Sequence, residues 1–204
     1  LEGVAKKAGY TDEDIRSEVG SEYYEKGPQE WEWVQATLRL LDNNNILGTV
    51  AISNFTEDVF RYISNPTVQK AVDEIVLEAF DSEPCVVVGH SLGSVVGYNV
   101  LHKLEEKGIV EQYVTVGSPL GVKAIKNRLD TPLEMPLLKS GWYNAYDERD
   151  VVALYPLDGE HFPISPAIEN NKKIENKTDN RHGISGYLDD ETLAATIYRA
   201  LSRT

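Results

Sequence analysis

The chain of 204 residues contains one cysteine and no run of roughly 18 or more consecutive apolar residues. A lone cysteine, Cys85, excludes an internal disulfide and therefore the cysteine framework of a small secreted domain. The lack of a long apolar run predicts no membrane-spanning helix, and no signal peptide is recognisable. These absences favour a cytoplasmic protein, although the sequence begins at Leu1 and not at methionine.

Positive charge is also scarce, because 20 Lys and Arg residues face 33 Asp and Glu residues, for a net charge of -13. Phosphates would be repelled, so the sequence predicts no nucleic-acid partner and no attraction to anionic membranes. A neutral ester remains compatible with this charge. With 41% hydrophobic residues, a chain of this length predicts one domain, 1–204, that buries a sizeable core.

Motifs for metals and nucleotides are missing as well. The sequence has no His-Glu-x-x-His pattern and no glycine-rich phosphate loop in front of a helix. We therefore expect neither a metal ion nor a cofactor.

The most informative stretch runs from Cys85 to Gly93. Four apolar residues, 85–88, lead into Gly89-His90-Ser91-Leu92-Gly93, and a helical pattern follows at once. A Gly-x-Ser-x-Gly sequence between a buried strand and a helix is typical of a nucleophile elbow, which exposes the serine on a sharp turn. We expect Gly89 and Gly93 to allow close packing of strand and helix, with the Leu92 amide facing a substrate oxygen.

Apolar periodicity and turn residues predict that strands alternate with helices, which favours a parallel sheet covered on both faces. The expected strands are 85–88, 113–116, 143–146 and a polar edge strand at 172–177. The expected helices begin near Thr11, at 29–41, near Thr56, at 66–81, after the elbow as far as Gly108, at 122–129, and after Asp189 or Asp190. The stretch 46–52 is ambiguous between strand and helix.

A serine nucleophile needs a histidine base, and the chain offers four. His90 adjoins the serine inside the elbow, so its side chain should point elsewhere, and His102 falls within a helix. His182 lies in a turn between the expected last strand and the final helix, the position of the base in folds with this elbow. We therefore favour His182, with His161 as the alternative.

A carboxylate must also orient the base. Asp147, Glu148 and Asp150 all follow the strand that ends at Tyr146. Asp150 precedes the apolar segment 151–153, which could anchor its loop. Spacing alone does not choose among the three.

Several stretches between roughly 55 and 204 resemble lipase-like and esterase-like α/β-hydrolases. The resemblance is carried by the elbow region 86–101, the strand end 115–120, the segment 142–152, which is similar to the acid loop of these enzymes, and His182 followed by Tyr187. It implies an α/β-hydrolase fold, and it implies that Asp150 is the catalytic acid. The chain departs from the family at the oxyanion hole.

Two amide donors form that hole in the family, one after the serine and one in a loop that follows an early strand, often marked by His-Gly. Leu92 supplies the first donor, but no His-Gly precedes residue 89. Three explanations are open: the strand and its loop precede Leu1, the stretch from Ile46 serves instead, or the site is impaired. We favour the first, since the recognisable strands are few.

The resemblance implies a serine hydrolase that cleaves a small-molecule or lipid ester with Ser91, His182 and Asp150. An acyltransferase with the same triad and a non-catalytic interaction module on the same fold are the alternatives. The loop 156–181 contains three prolines and carries Phe162 and Ile164 near its start. We interpret this loop as a lid or an acyl-binding wall.

Overall fold

The computed structural model describes residues 5–6, 8–19, 31–44, 57–104, 109–129 and 132–204. Within them, four parallel strands form one open sheet in the order β1-β2-β3-β4. The strands are β1 Cys85–His90, β2 Val110–Val116, β3 Trp142–Ala145 and β4 Glu169–Asn171. Parallel strands end at the same edge, so the segments that follow β1, β2, β3 and β4 meet there.

Eight helices accompany the sheet in the described part of the chain. They are α1 Asp12–Val19, α2 Trp31–Asn43, α3 Glu57–Ser64, α4 Pro66–Leu77, α5 Leu92–Leu101, α6 Lys123–Lys126, α7 Ile184–Leu188 and α8 Glu191–Leu201. Side-chain caps account for two of the helix starts: the Asn65 side chain accepts hydrogen bonds from the first turn of α4, and the Asp190 side chain does so for α8. None of these helices is long and apolar enough to cross a bilayer.

Both faces of the sheet are covered, because successive residues of a strand point to opposite sides. Tyr113 of β2 packs on one side in a core cluster with Leu101 of α5 and with residues of α2, α3 and α6. Val114 packs on the other side with Tyr187 of α7 and Leu193 of α8. The predicted α/β class with a parallel sheet is thus confirmed.

Several predicted boundaries differ from the structure, and the largest differences concern the last strand, the helix after the elbow and helix α4. The last strand lies at Glu169–Asn171, inside the stretch expected to be loop, and the predicted strand at 172–177 is wrong. The side-chain amide of Asn144 in β3 donates to Asn170 Oδ1 at 2.9 Å, which helps to fix this short polar strand at the sheet edge. The helix after the elbow ends at Leu101 and not at Gly108, which is outside the described residues. Helix α4 ends at Leu77, before the expected 81.

The two elbow glycines differ in their surroundings. A Cβ on Gly89 would lie 2.8 Å from the Gly93 carbonyl oxygen and 2.9 Å from Ser94 Cα, so the first turn of α5 can approach β1 only over a glycine. A Cβ on Gly93 would meet no atom within 4 Å. The expectation that Gly93 is also needed for close packing is wrong, because its Cα faces open space.

We predict that Gly89→Ala lowers the free energy of unfolding by about 1–3 kcal/mol, because the added methyl group overlaps backbone atoms that cannot rotate away. Gly93→Ala is the matched control. It should leave stability unchanged or raise it by up to about 1 kcal/mol, since alanine is favoured over glycine within a helix. Urea unfolding followed by circular dichroism measures both, and equal losses would contradict the packing argument.

Candidate active site

Ser91 lies at the carboxyl end of β1, directly before α5. Its backbone has φ 51° and ψ -122°, a conformation that a residue with a Cβ seldom adopts. The Ser91 amide donates to the Val116 carbonyl at the end of β2, at 3.2 Å. The structure therefore holds Ser91 in the strained turn that the Gly-x-Ser-x-Gly pattern predicts.

Asp150 follows β3 and has no exposed surface. Its Oδ2 accepts hydrogen bonds from His182 Nδ1 at 2.7 Å and from the Tyr187 hydroxyl at 2.6 Å. Its Oδ1 accepts from the Val152 amide at 2.8 Å. A buried carboxylate is costly unless donors surround it, and these three donors provide hydrogen bonds to both of its oxygens. The charge also contributes to raising the pKa of Tyr187, behind burial as the main cause.

His182 lies in the loop between β4 and α7, where the sequence predicted the base. A neutral imidazole that donates from Nδ1 to a carboxylate carries its lone pair on Nε2, which is the atom that accepts a proton. The His182 amide donates to Asn180 Oδ1 at 3.1 Å, so the loop itself helps to set the position of the ring. The side chain is 16% exposed, which leaves the ring accessible from one direction.

His90 connects this loop to the elbow. Its Nε2 lies 2.7 Å from the His182 carbonyl oxygen, which can only accept, so Nε2 carries the proton and donates. The two imidazole rings are 4.6 Å apart between centroids. Burial lowers the pKa of His90, which favours the neutral ring in this position. The neighbour of Ser91 in the chain is thus in direct contact with the proposed base.

No family model matches the chain, and comparisons with the curated proteins and with the solved structures gave no match.

The two other acidic candidates have different partners. Asp147 is 4% exposed and accepts from the Arg149 and Asn176 amides, each at 2.8 Å, while its Oδ2 lies 3.5 Å from the Arg181 guanidinium. It therefore fastens the acid loop to the loop that carries the base. Glu148 is exposed and pairs with Lys172 at 3.1 Å. The structure brings Asp150, and neither of these two, to His182.

The alternative base, His161, has an aspartate of its own. Its Nδ1 lies 2.9 Å from Asp158 Oδ1, and its ring stacks on Tyr155 with centroids 4.5 Å apart. This second His–Asp pair does not include Asp150. It provides a matched control for the His182–Asp150 pair.

The loop that was interpreted as a lid contributes to the core. Phe162 is 1% exposed, and its ring packs edge-on against Tyr98 and Trp142 at 5.4 and 5.6 Å between centroids. Trp142 begins β3, so this contact lies at the end of the sheet opposite to Ser91. Ile164 also packs against the main core cluster. The expectation that Phe162 contributes to a lid or acyl-binding wall is therefore wrong.

Helix α2 supports the acid loop from a distant part of the chain. The Gln35 side-chain amide donates to the Glu148 carbonyl at 2.8 Å and to the Asp150 carbonyl at 3.1 Å. Gln35 is 4% exposed. Gln35 was not among the predicted site residues. A glutamine on the buried side of an amphipathic helix was the pattern from which a buried polar contact could have been predicted.

Gly117, at the end of β2, provides the space in which acid and base meet. A Cβ there would lie 3.0 Å from Asp150 Oδ2, 3.0 Å from Tyr187 Cε2 and 3.1 Å from His182 Nδ1. Its φ of +57° also favours glycine. A side chain at this position would therefore press on both partners of the Asp150–His182 contact.

Only part of the expected oxyanion hole lies within the described residues. Leu92 is the first residue of α5, so its amide is among those that make no bond within the helix. The stretch 46–52, weighed as a source of the second donor, lies outside the described residues. Among the residues that the structure describes, no three His, Cys, Asp or Glu side chains are grouped to hold a metal.

A polar groove of about 730 Å³ separates the acid loop from the loop that carries the base. Its walls include Asp147 and Arg181, together with other charged residues of 148–149 and 172–179. Neither Ser91 nor His182 lines it. The groove is therefore separate from the surface at Ser91 and His182.

We predict that Tyr187→Phe lowers the free energy of unfolding by about 1.5–3 kcal/mol, because it removes a hydrogen bond to a buried charged carboxylate. The Tyr187 hydroxyl also accepts from the Asp147 amide at 3.3 Å, which would lose its partner. Tyr198→Phe is the control, since Tyr198 is 72% exposed and should change stability by less than about 0.5 kcal/mol. Urea unfolding measures both; equal small losses would show that the Asp150 contact contributes little.

Proposed function

We propose that this protein is a serine hydrolase that cleaves a carboxylic ester through Ser91, His182 and Asp150. The observation that carries the proposal is the 2.7 Å contact between His182 Nδ1 and the fully buried Asp150 carboxylate. His182 in turn contacts His90, the residue that precedes a serine held in a strained turn. The order of elements supports it: nucleophile after a strand, acid after a later strand, histidine after the last. This is the order of an α/β-hydrolase, the fold that we assign.

The proposed reaction begins when Ser91 Oγ attacks the ester carbonyl carbon and His182 Nε2 takes the hydroxyl proton. The Leu92 amide donates to the oxyanion that forms. When the carbon–oxygen bond breaks, His182 returns the proton to the leaving alcohol and Ser91 remains acylated. Water then attacks the acyl group, His182 takes its proton, and the acid leaves as Ser91 regains its hydrogen. Asp150 holds the imidazole and stabilises its charged form throughout.

The charge of the protein bears on the substrate. At a net charge of -13, a neutral small-molecule or lipid ester meets less repulsion than an anionic one. The acyl group on Ser91 could also pass to an alcohol, which would make the same centre an acyltransferase. Analysis of the products in the presence of added glycerol separates the two activities.

A fluorophosphonate probe tests the nucleophile directly. We predict stoichiometric labelling of the wild-type protein, with the modified peptide containing Ser91, since only an activated serine displaces fluoride at an appreciable rate. Ser91→Ala should abolish labelling. Ser202→Ala is the matched control, because Ser202 is exposed at the end of α8 and should not affect it.

Mass spectrometry of the labelled protein identifies the site. An unlabelled wild-type protein would refute the proposal and would favour a binding module on the same fold. Labelling at a different serine would show that Ser91 is not the nucleophile.

The two His–Asp pairs allow a matched comparison. Asp150→Asn should lower kcat by about 10⁴-fold, because an amide at this position favours the wrong tautomer of the base. Asp158→Asn alters the pair at His161 and should leave kcat within about threefold of the wild type, since a group outside the triad contributes no transition-state stabilisation. Both are measured on a p-nitrophenyl ester. If Asp158→Asn lowered kcat strongly and Asp150→Asn did not, His161 and not His182 would be the catalytic base.

A further inference from the structure

A chain of buried hydroxyl groups lies directly behind the elbow. The Ser94 hydroxyl donates to the Ser91 carbonyl oxygen at 2.6 Å, and its oxygen lies 2.7 Å from the Ser118 hydroxyl. The Leu120 amide donates to Ser118 Oγ at 3.3 Å. Ser94 has no exposed surface and Ser118 is 2% exposed. Neither serine has a role in the mechanism described above.

The direction of the hydrogen bonds along this chain is fixed. A carbonyl oxygen only accepts, so the single hydroxyl hydrogen of Ser94 is committed to Ser91. The hydrogen between the two hydroxyls must then come from Ser118, which in turn accepts from the Leu120 amide. Every bond points the same way, and bonds aligned in series polarise one another. The chain therefore ends in a strengthened bond to the Ser91 carbonyl.

That carbonyl shares a peptide unit with the oxyanion donor. The peptide between Ser91 and Leu92 is planar and trans, so the carbonyl of the first and the N–H of the second point in opposite directions. The Ser94 amide also donates to the Ser91 oxygen, at 3.0 Å. Because the hydroxyl and the amide of Ser94 both donate to the Ser91 carbonyl oxygen, that oxygen faces the first turn of α5. The Leu92 N–H therefore points in the opposite direction, away from α5. Polarising the carbonyl also makes that N–H a stronger donor.

We propose that Ser94 and Ser118 are positioning residues for the oxyanion hole, which orient and polarise the Leu92 amide through the Ser91 carbonyl. The inference rests on the proposed hydrolase function and deepens it. It assigns a role to a residue of the first turn of α5 and to a residue after β2. In this protein, one amide donor is held by a dedicated hydrogen-bond chain.

The surroundings of Ser94 support a positioning role. The Tyr113 hydroxyl donates to the Ser94 carbonyl at 2.6 Å, which anchors the residue from the core side. A Cβ at Gly97 would lie 2.6 Å from that same hydroxyl, so the glycine leaves room for the anchor. Ser94 is thus held at its hydroxyl and at its carbonyl, and both contacts restrict the turn that carries the nucleophile.

The first test is Ser94→Ala in the full chain. We expect kcat on a p-nitrophenyl ester to fall by about 10- to 100-fold, less than or equal to the loss of a whole oxyanion donor. KM should stay within about threefold, and the fluorophosphonate labelling rate should fall in parallel with kcat. The acidic midpoint of the pH–rate profile should not move, because the contact between Asp150 and His182 is untouched.

The second test uses the serial arrangement. Ser118→Ala should lower kcat by about 3- to 10-fold, and the double variant with Ser94→Ala should be no slower than Ser94→Ala alone, since Ser118 acts only through Ser94. Ser118→Thr keeps the hydroxyl and should recover most of the lost rate. Thr196→Val, which removes a largely buried hydroxyl bonded to the Thr192 carbonyl in α8, is the control and should leave kcat unchanged.

The outcomes separate this inference from the proposed function. A wild-type protein that the probe does not label overturns both. If the probe labels the wild type and both Ser94→Ala and Ser118→Ala react as fast as the wild type, the role of the hydroxyl chain is overturned and the proposed function is not. Losses that multiply in the double variant, or that shift the pH midpoint, would show two independent structural effects and would also overturn it. If circular dichroism shows that Ser94→Ala does not fold, the test rests on the kcat of Ser118→Ala. An unchanged kcat in that variant would overturn the inference.

Discussion

The arrangement of this site depends on one buried carboxylate. Asp150 is wholly enclosed, and removing a charge from water is costly unless donors replace the solvent. Three groups do so: the His182 ring, the Tyr187 hydroxyl and the Val152 amide. Two of these come from the segment that follows β4, so satisfying the charge also brings that segment against the end of β3. The same contacts leave the imidazole with a defined orientation beside the elbow.

The elbow illustrates how strain is maintained near a reactive group. A residue held at an unfavourable backbone conformation costs about 1–3 kcal/mol and persists only when its surroundings fix it. At Ser91 the surroundings are hydrogen bonds on both sides of the residue: its amide to the end of β2, and its carbonyl to the hydroxyl and amide of Ser94. Gly89 contributes by allowing the helix to approach the strand. The strain at Ser91 thus lowers stability but holds a partly exposed serine in one fixed conformation.

Much of the framework could be predicted from the sequence, because it is determined by neighbouring residues. The strand before Ser91, the helix that begins at Pro66 and the cap of α8 at Asp190 all follow from local patterns. Two errors have a common physical reason. The strand at Glu169–Asn171 is polar and short, and its pairing with β3 decides its existence. Phe162 lies in a proline-bearing loop, and only the packing of that loop against Tyr98 and Trp142 identifies it as core.

The sequence by itself determined the strained serine turn and the order in which a serine, carboxylates and histidines follow successive strands. Spacing left Asp147 and Asp150 open, and the family resemblance implied Asp150. Only the tertiary structure placed Asp150 against His182 and brought Gln35 beneath the loop after β3. The reason is the range of the interactions. Backbone conformation at a turn depends on residues a few positions away. Two partners of Asp150, His182 and Gln35, lie 32 and 115 residues distant and meet it only when the helices and the sheet have packed.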